Sequence, residues 1–171
     1  MEKDQDYTNS VFYWVAEMET EEHNPVLCFN SQGENSDHAG FEKNDFLLGI
    51  QTQFQQMFVK YAQKLVCVDA THGTNSYDFQ LVTVLVIDNY DEGIPVACLI
   101  SNKESADILR IRERCGDPKA EIFASDDAEA YHNAWVSSFS RPGRKLFCSW
   151  HVDRSWRREI GAHIKDKGQQ A

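Results

Sequence analysis

The amino-acid sequence predicts a mixed α/β domain in which helices flank a five-stranded sheet. The chain has 171 residues, of which 42% are hydrophobic and 26% charged, as is usual for a globular domain. Three apolar, β-branched segments follow one another in its middle, and helical and apolar segments alternate after them. This order favours a sheet that combines antiparallel and parallel strands.

The first part of the chain predicts little regular structure. Residues 1–44 are acidic and irregular, and we interpret them as a lead-in to a folded core over residues 45–171. The core opens with "NDFLLGIQTQFQQMFVKYAQ", whose apolar residues have the three- and four-residue spacing of an amphipathic helix. Asn44 or Asp45 provides the start signal of this helix.

The first three predicted strands come next. The first, "KLVCVDATHGTN", is a short continuous apolar run that ends in turn residues, which suits a strand buried on both faces. The second and third are "YDFQLVTVLVID" and "IPVACLIS". Since only the five residues "NYDEG" connect them, we expect an antiparallel hairpin.

Helices and strands alternate in the rest of the chain. The segment "ESADILRIRERC" is helical in composition, and "EIFAS" is the fourth strand. Apolar residues at helical spacing indicate the next helix, namely Ala128, Tyr131, Trp135 and Phe139. The fifth strand is "RKLFCSW", and the closing helix is marked by an apolar repeat every four residues, at Val152, Trp156, Ile160 and Ile164.

The charge of the chain bears on its partners. A formal net charge of −10 argues against a protein whose whole surface binds nucleic acid by neutralising phosphates. Residues 141–171 hold eight Lys and Arg against three acidic residues, a net charge of +5, which leaves −15 for the rest. A basic end on an acidic body can steer one face toward a polyanion, although a solvated helix face has the same composition.

Membrane insertion and a disulfide framework are not expected. No apolar run approaches the ~20 residues that cross a bilayer. The acidic start, "MEKDQDYTNS", differs from the basic and then apolar start of a secretory signal, so an intracellular location is expected. The five cysteines are odd in number and scattered, which is not the pattern of a disulfide-rich domain.

Two aspartates end predicted strands. Asp69 ends the first strand and Asp126 the fourth, so their carboxylates converge if these strands are neighbours. Convergent carboxylates suit Mg²⁺, and a pair of such ions would activate a water or sugar hydroxyl against a phosphodiester. Structural alternatives remain: Asp69 can be a turn residue, and Asp126 can cap a helix in a capping box with Glu129. Asp127 is interpreted as a first-turn helix residue.

A cysteine and a histidine follow the fifth strand. In "CSWH", Cys148 and His151 form a CxxH motif, which supplies half of the four ligands of a structural zinc site. Residues that could complete such a site are Cys67, His72, Cys115 and His132. The alternative is a buried thiol and a histidine at a helix start, and a histidine beside two carboxylates could also orient a phosphate or a metal-bound water.

Together these motifs resemble the MULE (Mutator-like element) transposase domain, a branch of the DDE transposases. In that family an aspartate ends the first strand in a sequence like "VDATHGTN", here Asp69. A second aspartate follows the fourth strand in a Ser-Asp or Thr-Asp pair, here Ser125 and Asp126. A CxxH motif comes next, here Cys148 and His151.

The resemblance runs from about Asp45 to the end of the chain and implies an RNase H-like fold. It implies metal-dependent DNA cleavage at transposon ends and strand transfer, with Mg²⁺ or Mn²⁺ held by Asp69 and Asp126. The implied partner is DNA and the implied location is the nucleus, with a homo-oligomer left open.

The third acid of the MULE family is not evident. The family carries a glutamate on a late helix, whereas Glu159 comes early for that pattern, so we expect a C-terminally incomplete core that is inactive alone. One alternative is a domesticated, catalytically inactive DNA- or protein-binding module. Another is a stand-alone RNase H-like nuclease that uses Glu159. Whether the chain is an enzyme therefore stays open.

Overall fold

A computed structural model of the chain describes most of its residues, with side chains from residue 9 onward. The described residues are 2–33, 41–73, 75–103, 114, 117–126 and 129–163.

The described residues form helices and one sheet. The α-helices are α1 (Glu2–Glu19), α2 (Gln53–Phe58), α3 (Glu129–Ser138) and α4 (Ser149–His163), and a 3-10 helix, Val59–Gln63, follows α2. The strands are β1 (Val26–Asn30), β2 (Leu47–Ile50), β3 (Leu65–Thr71), β4 (Gln80–Ile87), β5 (Gly93–Ser101), β6 (Ile122–Ser125) and β7 (Arg144–Phe147). Within the described ranges, no helix has both the length and the apolar composition to span a membrane.

The seven strands make a mixed sheet in the order β1-β2-β5-β4-β3-β6-β7. The first five strands of this order pair antiparallel, while β6 lies parallel to both β3 and β7. The hairpin of β4 and β5 is as predicted, and Asp88 stabilises its turn by accepting from the backbone N–H groups of Tyr90 and Glu92 at 2.8 and 3.0 Å. The predicted mixed sheet flanked by helices is confirmed, with two strands more than expected.

Both additional strands precede the five predicted ones. Residues 1–44 are not irregular as expected, since they contain helix α1 and strand β1. Strand β2 occupies the start of the predicted amphipathic helix, so the helix prediction is wrong there. Pairing with β5 decides the conformation, since Leu48 lies opposite Ile100 and is buried. Helix α2 begins later, with a capping box in which Thr52 accepts from the Gln55 backbone N–H and Gln55 accepts from that of Thr52.

Asp45 does not start a helix but holds the turn before β2. Its carboxylate accepts from the backbone N–H of Glu42 at 2.8 Å and from Lys103 Nζ at 3.0 Å. The hydrogen bond from Glu42, followed by the Lys103 ammonium, lowers the pKa of Asp45. The turn is thereby tied to the end of β5.

Most of one face of the sheet is buried. Its strand residues pack against α3 and the 3-10 helix, and the largest of them are Val66, Val68, Val82, Val84, Val86, Leu99 and Phe123. From α3, Trp135 stacks on Phe139 with ring centroids 4.2 Å apart. The Tyr131 hydroxyl donates to Gln80 Oε1 at 2.9 Å, which satisfies a buried polar side chain.

A described helix packs on one end of the opposite face. Helix α1 packs Val15 and Met18 against β1, β2 and their neighbours Phe46 and Phe79. Over β3, β4 and β6 the same face is only partly buried, at Cys67, Leu81, Leu85, Ile87 and Ala124. The prediction that β3 is buried on both faces is therefore wrong, because only alternate residues of it are buried.

Helix α4 also departs from expectation. The helix itself is confirmed, but its apolar repeat is not packed: Trp156 is 68% exposed and Ile160 41%. The last member of the repeat, Ile164, lies outside the described residues, as does the predicted helix "ESADILRIRERC" apart from Arg114. The Arg114 guanidinium donates to the carbonyls of Asn24 and Val26.

Candidate functional site

The two predicted site aspartates lie at the same edge of the sheet. Strands β3 and β6 are parallel neighbours, with Val68 opposite Ser125. Asp69 directly follows Val68, and Asp126 directly follows Ser125, so both aspartates come one residue after the same paired position of the two strands. The condition on which their convergence depended, that the first and fourth predicted strands are neighbours, is met.

The CxxH motif reaches the same edge through β7. Strand β7 lies parallel to β6 with Phe147 opposite Ser125, and the Cys148 backbone N–H donates to the Ser125 carbonyl at 2.8 Å. Helix α4 begins directly afterwards, and about one helical turn separates Cys148 from His151. His151 therefore faces back toward β3, where its Nε2 lies 3.8 Å from Asp69 Oδ1.

The separation of 3.8 Å between His151 Nε2 and Asp69 Oδ1 is within ion-pair range but too long for a hydrogen bond. The Asp69 side chain is 46% exposed and the His151 side chain 26%. The other ring nitrogen, His151 Nδ1, is buried without a hydrogen-bond partner among the described residues. Because the Asp69 side chain is partly exposed and lies too far from His151 for a hydrogen bond, its carboxylate retains lone pairs for a further ligand.

A cleft of about 920 Å³ opens beside these side chains, between the sheet and α4. Its lining includes the site residues Asp69, Asp126, Cys148 and His151 and the apolar residues Leu85, Ile87 and Ala124. Cys67 also lines it, and burial, followed by the neighbouring Cys148 and Asp69 side chains, raises the pKa of the Cys67 thiol. A neutral thiol of this kind behaves as an apolar wall rather than as a nucleophile.

Comparison with known proteins identifies the fold. The family model "Zinc finger SWIM domain-containing protein 1/3, RNaseH-like domain" matches residues 26–112, half of the chain. The chain belongs to this RNase H-like domain family. The match includes Asp69 and strands β1 to β5, while Asp126, Cys148 and His151 lie beyond it. No curated protein matches the chain.

Among the described residues, the RNase H-like domain does not bring together four ligands for the zinc site to which the CxxH motif would contribute two. Of the residues that could complete it, His72 and Cys67 line the cleft, whereas His132 lies on α3 with its ring 5.7 Å from that of Phe123. Cys115 lies outside the described residues. Across the described ranges no three His, Cys, Asp or Glu side chains are grouped to hold a metal ion.

Glu159 lies away from the cleft of the RNase H-like domain. It is two helical turns beyond His151 on α4, where its carboxylate is 3.4 Å from His163 Nε2 and 3.7 Å from Arg158 Nε. Of the Asp and Glu residues that the structure describes, two line the cleft, Asp69 and Asp126. Their oxygen donors fit Mg²⁺ or Mn²⁺, since such ions commonly take one or two carboxylates and complete their shell with waters and substrate phosphates.

Two further expectations concern Glu129, at the start of α3, and Asp127. The Glu129 side chain, predicted to close a capping box with Asp126, accepts from Lys145 Nζ at 2.6 Å, and this bond lowers the pKa of Glu129. Asp127 lies outside the described residues.

Two residues that line the cleft, Trp150 and Arg154, are not predicted as site residues from the sequence. Trp150 is 58% exposed, and its ring meets that of His151 edge-on at 4.7 Å. The Arg154 guanidinium lies 5.2 Å from the Trp150 ring centroid. The signal was their spacing of four residues, which puts both on one helix face. The apolar repeat of α4 instead predicts that the buried face of this helix is the one that carries Val152, Trp156 and Ile160.

Proposed function

We propose that this RNase H-like domain derives from a MULE transposase and binds DNA together with a divalent metal ion at Asp69 and Asp126. The observation that carries the proposal is the register of β3 and β6, which brings two carboxylates to one edge of the sheet beside an open cleft. On this proposal the protein works on nuclear DNA.

The side chains have separate parts in the proposed activity. Asp69 and Asp126 hold Mg²⁺ or Mn²⁺ through their carboxylate oxygens. When bound, the metal polarises a phosphodiester and makes a bound water more acidic. His151 faces Asp69 through Nε2 and can hold a proton beside a phosphate oxygen.

Full cleavage and strand transfer need a third acid, which the MULE family carries on a later helix. A second candidate function follows from the two-carboxylate cleft: an inactive DNA-binding module that has kept the fold. The position of Glu159, paired along α4, supports both of these over a nuclease that uses Glu159.

The test is Mn²⁺ binding by calorimetry, together with nicking of supercoiled plasmid in Mn²⁺. We expect Asp69→Asn and Asp126→Asn each to weaken Mn²⁺ binding at least about tenfold, because each removes a charged ligand. The matched control is Asp91→Asn, since Asp91 is exposed, pairs with Lys64 and has a φ of 61°, which Asn tolerates.

The outcomes separate the candidates. Nicking that both Asp variants abolish supports the transposase-derived catalytic core. Mn²⁺ binding without nicking supports the inactive module. Mn²⁺ binding that is equal in wild type and both variants shows that the proposed metal site is wrong.

A further inference from the structure

We propose that the cleft binds an unpaired base of a DNA strand, stacked on Trp150, with Arg154 contacting the phosphates of that strand. This inference rests on the proposed function, because it names the form of DNA that the same site takes. A strand held in this way would run past the edge where Asp69 and Asp126 lie.

Trp150 is presented as a stacking platform. Tryptophan usually buries much of its large side chain, yet Trp150 is 58% exposed at the wall of the cleft. Contacts with the His151 ring and the Arg154 guanidinium hold it there. An ordered, exposed aromatic ring is the feature on which proteins stack unpaired bases.

The cleft wall selects for a ligand with apolar faces. Leu85, Ile87 and Ala124 supply an apolar lining, and the Cys67 side chain extends it. The volume of about 920 Å³ is within the range of small-molecule sites and accommodates a nucleoside. A base is planar and apolar on its faces, whereas a duplex buries those faces against neighbouring base pairs.

Arg154 supplies the charge complementarity. Within the described part of the chain it has no acidic partner at ion-pair distance, whereas Arg157 on the same helix is bonded to Asp153 at 2.8 Å. A cation at the cleft that has no acidic partner among the described residues, in a chain with net charge −10, is a site where a phosphate can be accepted. The ligand thus combines a flat apolar face with negative charge, as an unpaired nucleotide does.

The test uses labelled oligo(dT) and the matching dT:dA duplex in fluorescence anisotropy, at low salt and with EDTA present. We expect wild type to bind the single strand more tightly than the duplex. Trp150→Ala should weaken single-strand binding about 5- to 100-fold, the range for loss of one stacked base. Trp150→Phe should restore most of the affinity, because phenylalanine keeps a stacking face.

The controls are matched residues of the same helix. Trp156 is also an exposed tryptophan but does not line the cleft, so Trp156→Ala should change binding less than about twofold. Arg154→Gln should lower the slope of log K against log salt by about 0.7, the value for one phosphate contact on a single strand. Arg157→Gln, which removes an equal charge, should lower it less.

A second readout reports stacking itself. An oligo(dT) strand in which one 2-aminopurine replaces a thymine should lose fluorescence on binding wild type and keep it on binding Trp150→Ala. The inference is overturned if Trp150→Ala and Trp156→Ala weaken binding equally. It is also overturned if wild type binds neither probe, or binds the duplex as tightly as the strand.

Failure of this inference is distinguishable from failure of the proposed function. Because EDTA removes metal, single-strand binding by the wild-type protein in this assay is measured independently of the proposed metal site. Strand binding that depends on Trp150 without any Mn²⁺ binding would leave the inference standing and refute the proposed metal site. If Trp150→Ala changes neither Mn²⁺-dependent nicking nor single-strand binding, the inference is refuted and the proposed metal site stands.

Discussion

The two faces of the sheet are made by the same strands but differ in burial and chemistry. On β4, Val84 points to the face covered by α3 and is 2% exposed, while its neighbour Leu85 points to the cleft and is half-buried. On β3, Val68 and Asp69 divide in the same way. Because side chains alternate along a strand, one face can supply stability while the other stays open for a site.

The open face carries the side chains of the candidate site. Cys67, Asp69 and the cleft are there, whereas the opposite face is an almost continuous apolar core. Substitutions on the covered face should therefore change the free energy of unfolding, and those on the open face should change binding.

The largest effect is expected at Trp135. It is 1% exposed between Phe123 and Phe139, so Trp135→Ala should lower the free energy of unfolding by about 3–5 kcal/mol. Trp156→Ala, the matched control at an exposed site, should change it by less than about 0.5 kcal/mol. Urea unfolding followed by far-UV circular dichroism measures both. Equal losses would show that the covered face does not dominate stability.

The adjacent pair on β4 compares the faces directly. Val84→Ala removes fully buried methyl groups and should cost about 2 kcal/mol of unfolding free energy. Leu85→Ala removes a larger side chain but from a half-buried position, and should cost about 1 kcal/mol. The same urea titration measures the two variants, and a greater loss for Leu85→Ala would contradict the assignment of faces.

Gly49 tests how far the covered face extends toward β1. A Cβ at this position would lie 2.8 Å from Cys28 Sγ and 3.2 Å from Leu27 Cβ, so Gly49→Ala should cost on the order of 1 kcal/mol through overpacking. The double variant Cys28→Ala with Gly49→Ala should be less destabilised than the sum of the two single variants. Additive losses would mean that β1 does not pack against β2 as described.

The smallest effect is expected at Asp45, at the end of the sheet away from the cleft. Its lowered pKa means that its stabilising effect is present above the ordinary aspartate pKa of about 3.9 and is lost as the pH falls through the lowered value. Asp45→Asn should therefore be less stable than wild type at pH 7, by about 1 kcal/mol or less, and the difference should shrink below pH ~4. Urea unfolding across this pH range, with Asp91→Asn as control, measures it. A difference that grows toward acid would contradict the sign.

The order of the described elements from β3 to α4, and the residues of the candidate site, can be predicted from the amino-acid sequence alone. Short-range patterns were sufficient for β3, the β4–β5 hairpin, β6, α3, β7 and α4, because apolar runs, a five-residue turn and helical spacing act between near neighbours. They also located Asp126 directly after β6, Asp69 two residues before the end of β3, and Cys148 and His151 around the start of α4.

The pairing of the strands and the covering of the sheet faces depend on the tertiary structure. Leu47 and Leu48 fit a helical pattern, yet pairing with β5 made them a strand, since burial against a distant segment outweighs local propensity. Tertiary packing likewise left one face of β3 and β4 partly open and turned Trp150 and Arg154 toward the cleft. Burial is a property of segments distant in sequence, and spacing along one segment does not encode it.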